Sequence, residues 1–339
     1  MLNWRSLVVP MLLVAWGLSI SVTPSLASEP KLLSVEKIWD QGEHNAFTDI
    51  IRYKDKFFVT FRESEAHVGG DGKTRVLVSE DGATWKSAAL VEEEGVDLRD
   101  PKFSITPQGE LMLSMGGSIY NGTKKLHGRQ PRVSFSDDGY TWSAPEKILA
   151  EGDWLWRVTW HDGVGYGISR IMVPTDKKDR SHEKIASLYK TTDGRNYEKI
   201  LTWDITGNPN ETTLRFMPDG EMLALIRREA DDTMGFIGRS QPPYTDWEFT
   251  PTDYRLGGPN FIRLPNGEMW AGSRYYPGGA KTGLFRMTPE KLELVTLLPS
   301  GGDTSYPGFL WHDNLLWMSY YASHEGKTSI YLAKFKLEE

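Results

Sequence analysis

The sequence predicts an all-β fold built from six repeated units, and three observations carry that prediction. The 339 residues include 14 Tyr, 13 Trp, 13 Phe and 33 Gly but no Cys, a profile that suits many short strands and turns around an aromatic core. Tight-turn signals recur at a regular beat between short alternating apolar runs. No long stretch shows a convincing helical period.

The turns come first. Their centres are Asp55, Gln108, Asp162, Asp219, Asn266 and Asp313, at intervals of 53, 54, 57, 47 and 47 residues. Each is followed by a strand-like run: "FFVTF", "LMLSM", "GYGIS", "MLALI", "MWAGS" and "LLWMS". One hairpin cannot bury both of its faces, but six such units arranged around an axis can. A second motif keeps the same beat. "SEDGATW" from Ser79, "SDDGYTW" from Ser136 and "TTDGRNY" from Thr191 start 57 and 55 residues apart, and "SQPPYTDW" from Ser240 is a degenerate fourth. A hydroxyl, an Asp two residues later, a Gly and an aromatic suit a tight hairpin turn. The Asp bonds nearby backbone, the Gly supplies positive φ, and the aromatic packs between sheets.

The N-terminus sets the compartment. Arg5 precedes the apolar run Leu7 to Ile20, and small residues follow up to Ala27. That layout predicts a secretory signal over 1–27 and a single domain over 28–339, secreted or periplasmic, with no membrane span in the mature protein. The competing reading is a retained membrane anchor. A net charge of −7 argues against a nucleic-acid partner bound by bulk electrostatics. The seven His lack ligand spacing, so neither a metal nor a cofactor is expected.

The turn centres also serve as a ruler. Eight and seven residues before them, at the start of each innermost strand, stand Phe47/Thr48, Asp100/Pro101, Trp154/Leu155, Glu211/Thr212, Gly258/Pro259 and Ser305/Tyr306. At the end of each second strand stand Arg62, Gly116, Arg170, Arg227, Arg274 and Tyr321. A hairpin folds back on itself, so both sets share one end of the fold. Four arginines in register there predict an anion-binding mouth. The competing reading is a row of solvated strand ends paired with local acids such as Glu63 and Glu229.

The Ser79, Ser136 and Thr191 motifs resemble the Asp-box of the sialidase (BNR-repeat) superfamily, in a variant one residue shorter between Asp and aromatic. The resemblance spans roughly Val35 to Lys336. It implies a six-bladed β-propeller of four-stranded blades, with the Asp-boxes on the face opposite the active site. "NETTLRFMPDGEMLALIRRE" resembles the sialidase segment in which a catalytic Glu precedes a carboxylate-binding Arg, which makes Glu211 the base and Arg227 a clamp. "TSYPGFLWHDNLLWMSYY" resembles the segment that carries the nucleophilic Tyr, here Tyr306. A phenol suits a reacting carbon that bears a carboxylate, because an anionic nucleophile is repelled there. In the loop "RESEAHVGGDGKTR" the resemblance points to Asp71 as the acid, with His67, Glu63 and Glu65 as rivals.

Two departures from the family pattern stand out. Its first clamp arginine is missing from "HNAFTDI"; blade 2 instead offers Arg99 and Asp100 in "DLRDPKF". The third clamp position is shared between Arg274 and Lys281. Arg62 and Arg170 complete the basic rim, and Trp154 and Trp156 are available to stack on a sugar ring. The expected partner is thus an acidic glycan, and the expected activity is exo-glycosidic removal of a terminal sialic or related sugar acid. A lyase or hydrolase for uronic-acid glycans and a non-catalytic carbohydrate-binding propeller are the alternatives. If Arg99 replaces the missing arginine, the bound anion is displaced as well.

Overall fold

Among the described residues every regular element is a β-strand, and the strands pair into six antiparallel sheets of four. The structure is a computed structural model that describes Met1 and residues 30–176 and 182–337. The segment read as a secretory signal lies, apart from Met1, outside the described residues. No helix among the described residues is long and apolar enough to cross a membrane.

Strand β1 (Pro30–Trp39) waits for the last blade. Blade 1 holds β2 (His44–Tyr53), β3 (Lys56–Ser64), β4 (Lys73–Ser79) and β5 (Lys86–Val91) from the axis outwards. Blade 2 holds β6 (Asp97–Ile105), β7 (Leu111–Ile119), β8 (Gly128–Ser136) and β9 (Glu146–Lys147). Blade 3 holds β10 (Trp154–His161), β11 (Val164–Pro174), β12 (His182–Thr191) and β13 (Glu198–Thr202). Blade 4 holds β14 (Pro209–Phe216), β15 (Met222–Arg228), β16 (Met234–Ser240) and β17 (Glu248–Arg255). Blade 5 holds β18 (Asn260–Arg263), β19 (Met269–Tyr275), β20 (Lys281–Met287) and β21 (Leu292–Leu297). Blade 6 holds β22 (Thr304–His312), β23 (Leu315–Ala322) and β24 (Ser329–Leu337), and β1 completes it from Pro30↔Leu337 to Trp39↔Ile330. The fold is a six-bladed β-propeller. Pairing the two ends of the chain removes the exposed edge that an open ring would keep.

All six expected turns join the first two strands of a blade. Lys54-Asp55, Asp162-Gly163 and Asp313-Asn314 have positive φ at both residues, the two-residue geometry that matches strand twist. The Pro-X-Gly turns end on Gly109, Gly220 and Gly267, whose N–H groups bond Thr106, Met217 and Leu264. The three motifs that start at Ser79, Ser136 and Thr191 lie at this same end, between third and fourth strands. In the first, Asp81 Oδ1 accepts from Ser79 Oγ and from the backbone of Ala83 and Thr84, at 2.8–2.9 Å. A Cβ on Gly82 would lie 2.1 Å from the Trp317 ring of blade 6, so this Gly serves both positive φ and blade contact. The apolar clusters straddle neighbouring blades; one joins Phe57 and Leu77 of blade 1 to Trp317 and Leu332 of blade 6.

Candidate active site

The opposite end is built by irregularity. Five innermost strands slip register near their start, between Ala46/Asp49, Arg99/Lys102, Leu155/Val158, Pro209/Thr212 and Ser305/Gly308. Such a bulge shifts side-chain parity by one residue and re-aims the side chains beyond it. Phe47, Asp100 and Tyr306 hold φ of 67°, 51° and 52°. That conformation costs about 1–3 kcal/mol per residue and persists only where the surroundings impose it. All three line one cavity.

This cavity of about 250 Å³ contains Arg99, Arg129, Arg170, Lys184 and Arg227 against Asp100, Glu211 and Glu229. Its five cations outnumber three acids in a chain of net charge −7. Phe47, His67, Tyr120, Trp154, Asn210 and Tyr306 complete the wall.

Tyr306, Glu211 and Arg227 form one bonded unit. Tyr306 Oη donates to Glu211 Oε1 at 3.0 Å. Arg227 Nη1 donates to both Glu211 oxygens at 3.0 Å and to Tyr306 Oη at 2.9 Å, while Nη2 pairs with Glu229 at 2.7 Å. Burial works most strongly on the Glu211 carboxyl and raises it, but Arg227, a backbone N–H, Lys184 and the Tyr306 hydroxyl together hold the group below its ordinary value. Burial and the adjacent Glu211 charge push the Tyr306 phenol up. At rest the pair is therefore a protonated phenol whose proton already points at an ionised base. Arg227 touches both oxygens and stabilises the negative charge wherever the proton leaves it.

Beside this unit three residues from separate segments converge. His44 Nε2 and His67 Nδ1 bond Asp303 Oδ2 at 2.9 and 2.6 Å. Tyr321 Oη donates to Asp303 Oδ1 at 2.8 Å, and Arg274 Nη2 lies 3.5 Å from that oxygen. Burial opposes ionisation of Asp303, but the His44 and His67 bonds hold it well below the carboxylate range. The expected scatter of histidines is corrected here, since these donor atoms lie within 4.8 Å of one another. They suit a divalent cation by type. Yet both imidazoles already share one carboxylate oxygen, and the Arg274 guanidinium beside the other disfavours a second cation. What the cluster does achieve is to fix the His67 ring at the cavity edge.

The other sequence candidates divide. Arg99, Asp100 and Arg170 line the cavity with Glu211, Arg227, Tyr306 and His67. Arg62 does not: fully buried, it pairs with Asp97 at 2.6 and 2.9 Å and bonds Ala66 O at 2.7 Å. Its place in a basic rim is corrected to an internal strut. Trp156 is buried against Tyr306 and outside the lining, with Lys102 Nζ over its ring, so it offers no stacking surface. Trp154 does. Asp71 is exposed and absent from the lining. Arg274 bonds Thr304 O and Tyr321 Oη behind the Tyr306 ring. Lys281 is spent on Ser300 O. Of the local pairs, Arg227 engages Glu229, whereas Glu63 engages Arg75, which is none of the four rim arginines, and Arg62 turns to Asp97.

Arg129, Lys184, Tyr120 and Asn210 went unread. Arg129 and Lys184 open third strands, which also start at the mouth. Each stands seven residues ahead of the hydroxyl that opens the repeated turn motif of its blade, Ser136 and Thr191, so a ruler laid from that motif finds both. Gly116 explains itself too. A Cβ there would lie 2.4 Å from the Trp154 ring, so blade 2 leaves its rim position to Trp154.

No family model matches the sequence, and no curated protein is similar to it. Solved structures are. A protein of unknown function from Dyadobacter fermentans has a TM-score of 0.75 at 16% identity, covering 92% of this chain and 99% of that one. The α-L-arabinofuranosidase of Fusarium graminearum in complex with arabinobiose scores 0.68 at 16% identity, with 89% and 97% covered. The sialidase of Trypanosoma rangeli in complex with the inhibitor DANA scores 0.64 at 12% identity, with 91% of this chain and 60% of that one covered. At such identities the likeness carries the fold alone, a six-bladed propeller that the arabinofuranosidase and the sialidase also have.

Proposed function

We propose that the protein is a retaining glycoside hydrolase that removes a terminal acidic sugar from a glycan outside the cytoplasm. The observation that carries this reading is the Tyr306–Glu211–Arg227 unit on the wall of a cationic, one-sugar cavity. Tyr306 Oη attacks the anomeric carbon and passes its proton to Glu211 Oε1. The glycosidic C–O bond breaks, and His67, fixed by Asp303, supplies the proton to the leaving oxygen in place of the exposed Asp71. Water then attacks the anomeric carbon and gives a proton to His67. The bond to Tyr306 breaks, and the phenolate recovers its proton from Glu211. A phenol in this role avoids the repulsion between a carboxylate nucleophile and an anionic substrate. The N-terminal apolar run Leu7 to Ile20 supports the extracytoplasmic placement.

The test is a screen of the protein against a panel of acidic glycans, followed by Tyr306→Phe. That variant keeps its fold and substrate binding while turnover falls by about 4 kcal/mol of barrier or more, roughly a thousandfold. Glu211→Gln also cripples turnover, and the double variant is no worse, because the two groups act as one. Near-normal kinetics in Tyr306→Phe would remove it as nucleophile. Unsaturated uronate among the products, detected by ultraviolet absorbance, would recast Tyr306 as the base of an elimination.

A further inference from the structure

The cavity's cations differ in what their N–H groups already do. Arg227 is committed to Glu211, Tyr306 and Glu229. Arg274 is committed to Thr304, Tyr321 and Asp303 and stands outside the lining. Arg99 Nη1 holds His67 O at 2.8 Å and Asp97 at 3.3 Å. Arg129 and Arg170 are different: Nε and Nη1 of Arg129, Nη1 of Arg170 and the indole Nε1 of Trp154 are buried without a partner among the described residues. Native proteins rarely leave buried donors in that state; ordered water, an ion or a ligand takes them, and here four such donors gather at one cavity.

These donors belong to one feature. The Arg129 and Arg170 guanidinium carbons stand 4.9 and 5.4 Å from the Trp154 ring centre. Arg170 is 7% exposed and holds Asn210 with its Nε. Burial, and for Arg129 the charge of Arg170, pushes both guanidinium groups down to about 10, which records how poorly the protein compensates them. Both stay charged at neutral pH. Planar forks of this kind match a carboxylate.

Their position decides which carboxylate. Arg129 rises from β8 in blade 2, and Trp154 and Arg170 from β10 and β11 in blade 3. Tyr306 comes from β22 in blade 6, and in a ring of six blades 3 and 6 face each other. A carboxylate on the reacting carbon would sit beside Tyr306, where Arg227 and Arg274 already serve protein oxygens. A carboxylate on the far side of the ring meets the unpartnered forks.

We infer that Arg129 and Arg170, flanking Trp154, form the subsite for a ring carboxylate remote from the anomeric carbon, so that the terminal sugar is a hexuronate. This rests on the glycosidase reading only for the position of the reacting carbon. Trp154 adds its unpartnered indole N–H to the subsite, and Gly116 leaves the room that its indole occupies.

The test uses the intact protein and hexuronate-terminated oligosaccharides of both anomers, their methyl esters, sialosides and sulfated neutral sugars. The wild type prefers the uronate to its ester by roughly 10- to 150-fold in kcat/KM, the factor expected for a charge-assisted hydrogen bond. Arg129→Gln and Arg170→Gln each raise KM for the acid by such a factor, leave kcat near its starting value and barely change the ester. A purely structural role would move acid and ester alike. Arg129→Lys, which keeps the charge, recovers part of the preference and guards against a misfolded Gln variant. Calorimetric binding of free glucuronate and galacturonate to Tyr306→Phe, with and without Arg129→Gln, reads the subsite even if no glycan is hydrolysed. Preference for sialosides or sulfated sugars, equal losses on acid and ester, or no uronate binding to Tyr306→Phe overturns the inference.

Discussion

Gly258→Ala tests whether the geometry of the nucleophile is imposed by its neighbours. Gly258 has φ of +59°, and a Cβ there would lie 2.3, 2.5 and 2.6 Å from Cγ, Cδ1 and Cδ2 of Tyr306. Carbon atoms pack at about 3.5–4.0 Å, so the ring has to retreat by about 1 Å. It has nowhere to go. Phe47, Trp156 and Tyr321 stand 5.0, 5.7 and 6.0 Å from its centre, and the Arg274 guanidinium carbon 5.5 Å. The left-handed alanine costs about 1–2 kcal/mol and overpacking about 1–3, so stability falls by about 2–5 kcal/mol. Moving the phenol by about 1 Å from Glu211 costs roughly a hundredfold in turnover. Urea unfolding and kinetics on the best panel substrate measure the two effects. Gly109→Ala is the control: its φ is +86° with nothing within 4 Å of the added Cβ, so it carries backbone strain alone and leaves activity intact. A Gly258→Ala protein with wild-type stability and turnover would refute the argument.

Two further outcomes follow from charges buried away from the cavity. Arg62→Met leaves Asp97 buried with only the longer 3.3 Å bond from Arg99, and frees the loop that Arg62 ties at Ala66. Denaturant unfolding should register a loss of about 3 kcal/mol or more, with faster proteolysis in the loop that bears His67; unchanged stability would refute the role of Arg62 as a strut. Lys102, buried with its Nζ on Thr48 O, has its ammonium pushed from 10.5 down to about 8 by burial, against the pull of Asp49. Between those two values the unfolded chain binds more protons than the folded one, so this lysine makes stability rise with pH from about 8 to 10.5. In Lys102→Met the rise is smaller than in the wild type, and identical pH–stability curves would show the lysine to be at ease.

What the sequence by itself determined is whatever repeats over short range. The turn residues Asp55, Asp162 and Asp313, the hydroxyls and carboxylates of the motifs at Ser79, Ser136 and Thr191, and the alternation between them specify six hairpins, their order and the end at which each begins. That placed Glu211, Arg227 and Tyr306 at one mouth, because a hairpin's two ends meet whatever the surroundings. Tertiary structure alone decided which side chains at that mouth face the cavity. Arg62 on β3 and Arg170 on β11 hold matching positions opposite equally bulged first strands, so they look equivalent on the ruler, and only the neighbouring blade tells them apart. One is buried on Asp97, whereas the other stands at Trp154 with a free donor. Contacts between blades were equally out of reach. His67 and Asp303 meet across 236 residues, and β1 closes the ring against β24. Local chemistry chooses turns and strands, but partners so far apart in the chain are chosen by the closure of the ring as a whole.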